Sequence, residues 1–335
     1  MKKLFVIFLT SVAISTNAQD KRPPIENLVM EGAGVRGIAY VGAIQQLQEQ
    51  GNLSQLKRLG GTSAGAIAAL LVSLGYTADE MELIISETRV QQFNDGQYFF
   101  VGGLYRMNKY YGWYRNEAVN EWLGELIAQK TGNSNLTFQQ LHDLGYRDLY
   151  VTGTSINNQR TLIFSHETYP DMRVRDAVNI SMNVPLYFQA IWINDCGVVL
   201  DPMHATGTFD IVVDGGVAAN FPIDLFDEYT IERGKPVRCA NPHTLGLRID
   251  TAEQIEKDRT RLGLAPVPVK KLKHFINGFY VYSIESLNRP NLTEEDWQRT
   301  ISISSADIQP RIRKMKTAEK ELLLHNGREA VIAQF

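Results

Sequence analysis

Short apolar runs alternate with stretches of helical period along most of the chain. Residues 25–30 predict a strand that runs straight into Glu31-Gly32-Ala33-Gly34-Val35-Arg36-Gly37. Ile38, Val41, Ile44 and Leu47 then share one side of a predicted helix, with Gln45, Gln48 and Glu49 towards water. Gly51 is placed to end it, because glycine takes the left-handed cap conformation without penalty. Residues 56–60 predict a second strand feeding Gly61-Thr62-Ser63-Ala64-Gly65. Residues 66–74 are apolar all round, the mark of a buried helix. Thr77-Ala78-Asp79-Glu80 has the form of a capping box. Val119, Trp122, Leu123, Leu126 and Ile127 make a one-sided helix.

Residues 149–154 and 161–164 predict strands joined through Asn157-Asn158, and residues 174–183 a helix ending near Pro185. Residues 211–213 lead as a strand into Asp214-Gly215-Gly216, and residues 244–249 form another. Leu272, Phe275, Ile276 and Phe279 mark an amphipathic helix, and a last one follows Thr317. Strands alternating with helices predict an α/β fold with a largely parallel sheet. No repeat, low-complexity tract or linker-like break interrupts it. Residues 91–115 depart from the pattern: Phe93, Tyr98, Phe99, Phe100, Tyr105 and further aromatics crowd around glycines 96, 102, 103 and 112. An irregular insertion is expected there, either packed on the core or forming a lip over an apolar site.

Residues 1–18 carry Lys2 and Lys3, then an apolar run, then Thr16-Asn17-Ala18. That order is the one of a secretory signal peptide, and the run is shorter than the ~20 apolar residues of a spanning helix. The expected organisation is a signal peptide at 1–18 and one domain over 19–335, with a motif-bearing core at 27–250 and a mostly helical part at 251–335. The protein is expected to be exported: periplasmic, outer-membrane-associated or secreted. A net charge of −3 gives no basic surplus for displacing counterions from nucleic acid, so no nucleic-acid partner is expected. Cys196 and Cys239 are too few for a disulfide scaffold or a cysteine-based zinc site.

Three segments carry chemistry. Gly61 to Gly65 fits G-x-S-x-G, whose small residues let a strand turn sharply into a helix with the serine oxygen exposed at the helix start. A plain βα turn would also fit. Gly32 to Gly37 fits G-x-G-x-x-G. A dinucleotide site would need an acid near the end of the next strand, and residues 53–61 contain none. The same glycine-rich turn can present amides to a transient oxyanion. Asp214-Gly215-Gly216 sets a carboxylate at a loop edge, although a turn aspartate capping local amides is the simpler reading. No G-x-x-x-x-G-K is present, which excludes a P-loop.

In this order and spacing the segments resemble the patatin-like phospholipases: a glycine-rich oxyanion loop with a basic residue, a G-x-S-x-G elbow about 30 residues later, and a distant D-G-G aspartate. Asn179-Ile180-Ser181-Met182-Asn183-Val184-Pro185-Leu186-Tyr187-Phe188 and Asn220-Phe221-Pro222 extend the likeness, and Asn326-Gly327-Arg328 does so more weakly. Ala33 stands where the family has glycine. It keeps its amide for the oxyanion if its φ stays negative.

The resemblance implies a three-layer α/β/α sandwich with a mainly parallel central sheet. It also implies a carboxylic ester hydrolase of phospholipase A, lysophospholipase or esterase type. Ser63 would be the nucleophile and Asp214 the base. Gly32, Ala33, Gly34, Val35, Arg36 and Gly37 would form the oxyanion loop, Gly61 and Gly65 the elbow, and Gly215 and Gly216 the aspartate motif. Arg36 would steady the loop or attract an anionic headgroup, or else be a surface residue. A free aspartate has a pKa of about 3.9, so the base needs close geometry or desolvation to serve a serine.

Two rivals remain. One is a Ser-His-Asp esterase, with His243 the best placed of the histidines that follow Asp214, ahead of His274 and His325. The other is a non-catalytic lipid-binding protein on the same scaffold. No cofactor is expected. No metal is expected either, because no two histidines have ligand spacing along the chain. The expected partner is a lipid or ester substrate. Peripheral membrane contact through Lys270, Lys271, Lys273 and His274 beside Phe275, Ile276 and Phe279 stands against a helix with an ordinary core stripe.

Overall fold

The computed structural model describes residues 23–88, 93–96, 99–260, 263–310 and 313–335. The expected signal peptide and Tyr98 lie outside them. β1 (Asn27–Met30) leads through a 3₁₀ turn (Gly34–Gly37) into α1 (Ile38–Glu49). Next come β2 (Arg58–Gly61), α2 (Ala64–Ser73), α3 (Ala78–Glu87), α4 (Phe99–Tyr110), β3 (Gly112–Tyr114), α5 (Glu117–Thr131) and α6 (Phe138–Asp143). The hairpin β4 (Asp148–Ser155) and β5 (Arg160–Phe164) precedes α7 (Val174–Ser181) and three short strands, β6 (Leu186–Phe188), β7 (Ile191–Ile193) and β8 (Val199–Leu200). β9 (Asp210–Asp214) and α8 (Gly216–Ala219) follow, then an outer hairpin, β10 (Glu228–Glu232) and β11 (Lys235–Cys239). The chain closes with β12 (Thr244–Asp250), α9 (Ala252–Thr260), α10 (Leu272–Asn288), α11 (Glu294–Gln298), β13 (Thr300–Ser304) and α12 (Thr317–Ile332).

One nine-stranded sheet organises these elements. β13, β12, β1, β2 and β4 run parallel. β5 and β9 pair antiparallel with β4, and β7 and β8 extend the β9 edge antiparallel. Strand alternation sends Leu28, Met30, Leu59, Leu149 and Val151 into the main core, shared with the apolar faces of α1, α2, α5, α7 and α12. Val29 and Tyr150 point the other way, onto Phe221, Ile223 and Phe226. α8 packs on β4 on that side and α10 packs on α8. The result is a mixed α/β fold with a mainly parallel central sheet between helical layers.

Residues 91–115 correct the expectation of an irregular insertion. They contain α4 and β3, and β3 pairs parallel with β6. The glycines mark close approach rather than disorder. A Cβ on Gly103 would sit 2.5 Å from the Trp113 ring, and one on Gly112 would overlap the Phe188 carbonyl. Phe93 is buried in the core, while Phe100, Val101, Leu104 and Tyr105 are exposed on α4. Cys196 and Cys239 are free, exposed thiols.

Candidate active site

The G-x-S-x-G segment forms a strained elbow. β2 ends at Gly61, α2 begins at Ala64, and Ser63 between them has φ 52° and ψ −120°. Such a backbone is costly for a residue with a side chain, and it persists only where the surroundings enforce it. Here they do. A Cβ on Gly61 would overlap the Gly65 carbonyl, and one on Gly65 would overlap that of Met30. The Ser63 amide donates to the Ser181 hydroxyl at 2.9 Å, which pins the turn from α7. The serine oxygen therefore stands at the positive end of α2, where developing negative charge is favoured.

The glycine-rich loop lies alongside. Ala33 has φ −131°, an ordinary conformation for alanine, so its replacement of glycine costs no strain. Gly34 has φ +55°, and a Cβ there would also come within 3.0 Å of the Pro310 carbonyl. Gly34 and Val35 open the 3₁₀ turn, and the first amides of a helical turn have no acceptor within it. The Arg36 Nε donates to the Ala33 carbonyl at 3.1 Å and staples the loop on itself. A Cβ on Gly37 would lie 2.9 Å from that of Ala64, so this glycine lets the loop reach the elbow.

Sheet register explains how Asp214 arrives. β2 stops with Gly61 opposite Val151, and β9, running against β4, stops with Asp214 opposite Gly153. The two chain ends meet across Thr152. The Thr62 and Thr152 hydroxyls are 2.6 Å apart, and any side chain on Gly215 would strike Thr152. The Asp214 carboxylate accepts from the Gly216 amide at 2.7 Å and from the Ser63 hydroxyl. Burial pushes its pKa up to about 7, against the pull of those two hydrogen bonds.

Glu31, Ser181 and Asn220 complete the support. Glu31, 3% exposed, receives hydrogen bonds from the Asn220 amide at 3.2 Å and the Ile249 amide at 3.3 Å, and faces Arg248 at 3.3 Å. Burial pushes Glu31 up to about 8, with Arg248 pulling it down. Asn220 also brackets Gly32: its carbonyl accepts from the Gly32 amide at 2.9 Å and its side chain donates to the Gly32 carbonyl at 3.3 Å. Glu31 carries no signal of this role along the chain beyond its place as an acid between an apolar strand and a glycine loop.

Two cavities meet at Ser63. One, of about 570 Å³, is walled by apolar side chains such as Ile67, Ile85, Phe93, Val119, Trp122 and Phe188. The other, of about 640 Å³, holds Asp214, Gly216 and Asn220 and opens past Val267, Val269 and Phe279. Phe93 gives the aromatic stretch a place in the first wall, so core packing and cavity lining coincide there.

No histidine lines either cavity. The His243 carbonyl accepts the Glu26 and Asn27 amides at the start of β1, and its Nδ1 lies 2.9 Å from the Pro24 carbonyl. Ser63 and Asp214 sit beyond the opposite end of the parallel strands. His142, Asp148 and His166, though not at ligand spacing along the chain, do come together with ligand atoms within 4.8 Å of one another. His142 lies 2.7 Å from Asp148, and the two rings stack 4.2 Å apart at 9°. Parallel rings direct their in-plane lone pairs side by side rather than at one point. As placed they form an acid–imidazole cluster at the start of β4, away from the serine.

A serine at a strained elbow, a buried aspartate and a glycine-rich loop, at the end of a parallel sheet, define a serine hydrolase-like site. The model of the patatin-like phospholipase family matches residues 28–227, more than half of the chain, and the chain belongs to that family. The uncharacterized protein YqhO of Bacillus subtilis (strain 168) is 32% identical over 219 residues, covering 62% of this chain and 68% of that protein. The uncharacterized protein R571 of Acanthamoeba polyphaga mimivirus is 29% identical over 215 residues, 64% of this chain and 65% of that protein. The probable lipid hydrolase 463L of Invertebrate iridescent virus 6 is 24% identical over 216 residues, 63% of this chain and 66% of that protein. The chain thus spans just under two thirds of the two viral proteins. The crystal structure of VipD from Legionella pneumophila matches with a TM-score of 0.56 at 15% identity, over 93% of this chain and 67% of that one. That likeness is one of fold.

Proposed function

We propose that the protein is a serine lipid acyl hydrolase that works through a Ser63–Asp214 dyad and an acyl-serine intermediate. One observation carries the reading: the Ser63 hydroxyl is hydrogen-bonded to a buried carboxylate whose pKa is pushed up to about 7. A base is most effective when its pKa lies near the working pH. Asp214 takes the hydroxyl proton as Ser63 attacks the ester carbonyl. The amides of Gly34 and Val35 receive the oxyanion, which is often the largest single contribution in acyl transfer. Asp214 returns the proton to the departing alcohol and then activates the water that frees the acid.

Family membership supports a lipid ester as substrate. So does the outer surface of α10, where Leu272, Phe275, Ile276 and Phe279 are all exposed beside Lys270 and Lys271. In this reading that surface rests on a lipid interface, and residues 1–18 direct export. The direct test is a fluorophosphonate probe followed by peptide mass spectrometry. Label on Ser63 in folded protein, absent from Ser63→Ala, is the expected result. A folded protein left unlabelled would mark a lipid binder rather than a hydrolase.

A further inference from the structure

We infer that the two cavities divide the ester between them, the acyl chain lying in the cavity walled by Ile67, Ile85 and Trp122 and the alcohol leaving through the cavity that holds Asp214. The inference rests on the serine–aspartate reading and adds the direction in which the substrate lies.

The attacked carbon carries four groups in the tetrahedral state: the Ser63 oxygen, the oxyanion, the alkoxy oxygen and the acyl carbon. Two of them are fixed by the loops. Ser63 stands at the junction of the cavities, and the oxyanion faces the opening amides of the 3₁₀ turn. The alkoxy oxygen must lie within reach of the proton it collects as the carbon–oxygen bond breaks. That proton was taken from Ser63 by Asp214. Asp214, Gly216 and Asn220 border the second cavity and not the first, so the alcohol lies on the second side. The acyl carbon is left to point into the first.

The balance closes with water as the only co-reactant. The serine oxygen–carbon bond forms, the alkoxy bond breaks, and one proton passes from Ser63 through Asp214 to the alcohol. Water then enters from the side the alcohol vacated, gives its proton to Asp214, and releases the acid as Ser63 regains a proton.

Near the serine the first cavity offers Ile67, Ile85, Phe93, Val119 and Phe188, with charged side chains only as Glu87, Arg313, Lys314 and Lys320. Phe93 and Trp122 pack together with ring centroids 5.3 Å apart and fix part of its wall. The second cavity mixes apolar residues with Arg36, Asp250, Glu285 and Arg289. Charged side chains occur in both linings, so what separates them is the Phe93–Trp122 ring pair on the first wall and the Asp214 carboxylate with Asn220 on the second.

The experiment compares p-nitrophenyl esters from acetyl to palmitoyl, and methyl against p-nitrophenyl esters of one acid, on variants with matched thermal unfolding. Ile85→Trp narrows the first cavity, Ile85→Ala widens it, and Val267→Trp narrows the second. One methylene more or less in an apolar pocket is worth roughly 10- to 200-fold in selectivity. Ile85→Trp is therefore expected to lower the palmitoyl-to-acetyl ratio by about tenfold or more, and Ile85→Ala to move the optimum to longer chains. Val267→Trp is expected to change the leaving-alcohol ratio and leave the chain-length optimum in place. Chain length responding to Val267→Trp, or no response to either change at Ile85, overturns the orientation while leaving hydrolysis standing. Absence of ester turnover by the folded wild type overturns the hydrolase reading and the orientation with it.

Discussion

Asp214 shows how one residue trades stability for chemistry. Its folded pKa of about 7 lies above the unfolded value of about 3.9. The folded state thus holds the proton more tightly than the unfolded state. The stability this group contributes is full below pH ~3.9 and is lost as pH rises through about 7. Activity should run the opposite way, because the base works only when ionised. We predict that kcat/KM on a neutral soluble ester climbs with pH through a midpoint near 7, where an ordinary aspartate would give a flat profile above pH ~5. Asp214→Asn should raise the midpoint of thermal unfolding at pH 8 relative to wild type. A lower midpoint would mean that the buried charge is compensated by groups outside its two hydrogen bonds. Ser63 was legible because Gly61 and Gly65 flank it, and Asp214 because a short apolar strand runs into it and Gly215-Gly216 follow. Glu31 was not, since Asn220, Arg248 and Ile249 reach it from distant parts of the chain.

Among the elements, legibility followed hydrophobic pattern. α1, α2, α5 and β4 bury long apolar stripes and stand where the periodicity placed them. The β10–β11 hairpin went unseen because its residues are mostly exposed on both faces, so no side of it alternates. Its turn signal was present: Arg233 and Gly234 both take positive φ, as a tight hairpin turn requires. α4 was hidden by its glycine pair, which is read as a helix breaker unless a ring is known to press on it. The pairing of α1 with α12 was equally invisible, since it depends on glycines that meet backbone. A Cβ on Gly42 would overlap the Leu324 carbonyl, and one on Gly327 that of Ala39. Alanine for glycine in an exposed helix stabilises by about 1 kcal/mol. At this crossing overpacking, typically ~1–3 kcal/mol, opposes it. Gly327→Ala is expected to lower the urea midpoint of unfolding. A raised midpoint would show that the two helices separate freely.

For the whole molecule, the parallel sheet decides where chemistry sits. β1 and β2 end on the same side, β9 arrives from the opposite direction, and the three ends bring loop, serine and aspartate together. α10 closes that side, with its inner surface on α8 and its outer surface exposed. No described helix is long and apolar enough to cross a membrane. Leu272 and Ile276 are exposed on α10 and line neither cavity. Leu272→Asp with Ile276→Asp should reduce sedimentation with phosphatidylglycerol-containing vesicles much more than it reduces turnover of a soluble ester. Equal vesicle binding by this variant and wild type would place the lipid contact elsewhere.

The dyad itself is tested most directly by kcat/KM of Ser63→Ala, Asp214→Asn and His243→Ala on one soluble medium-chain ester, at a temperature below the unfolding transition of every variant. Asparagine fills the space of aspartate and cannot take the proton. General-base assistance is worth roughly 100- to 10,000-fold, so Ser63→Ala and Asp214→Asn should both fall by that order while His243→Ala keeps most of the wild-type rate. An active Asp214→Asn beside an inactive His243→Ala would contradict the dyad and put a histidine in its place.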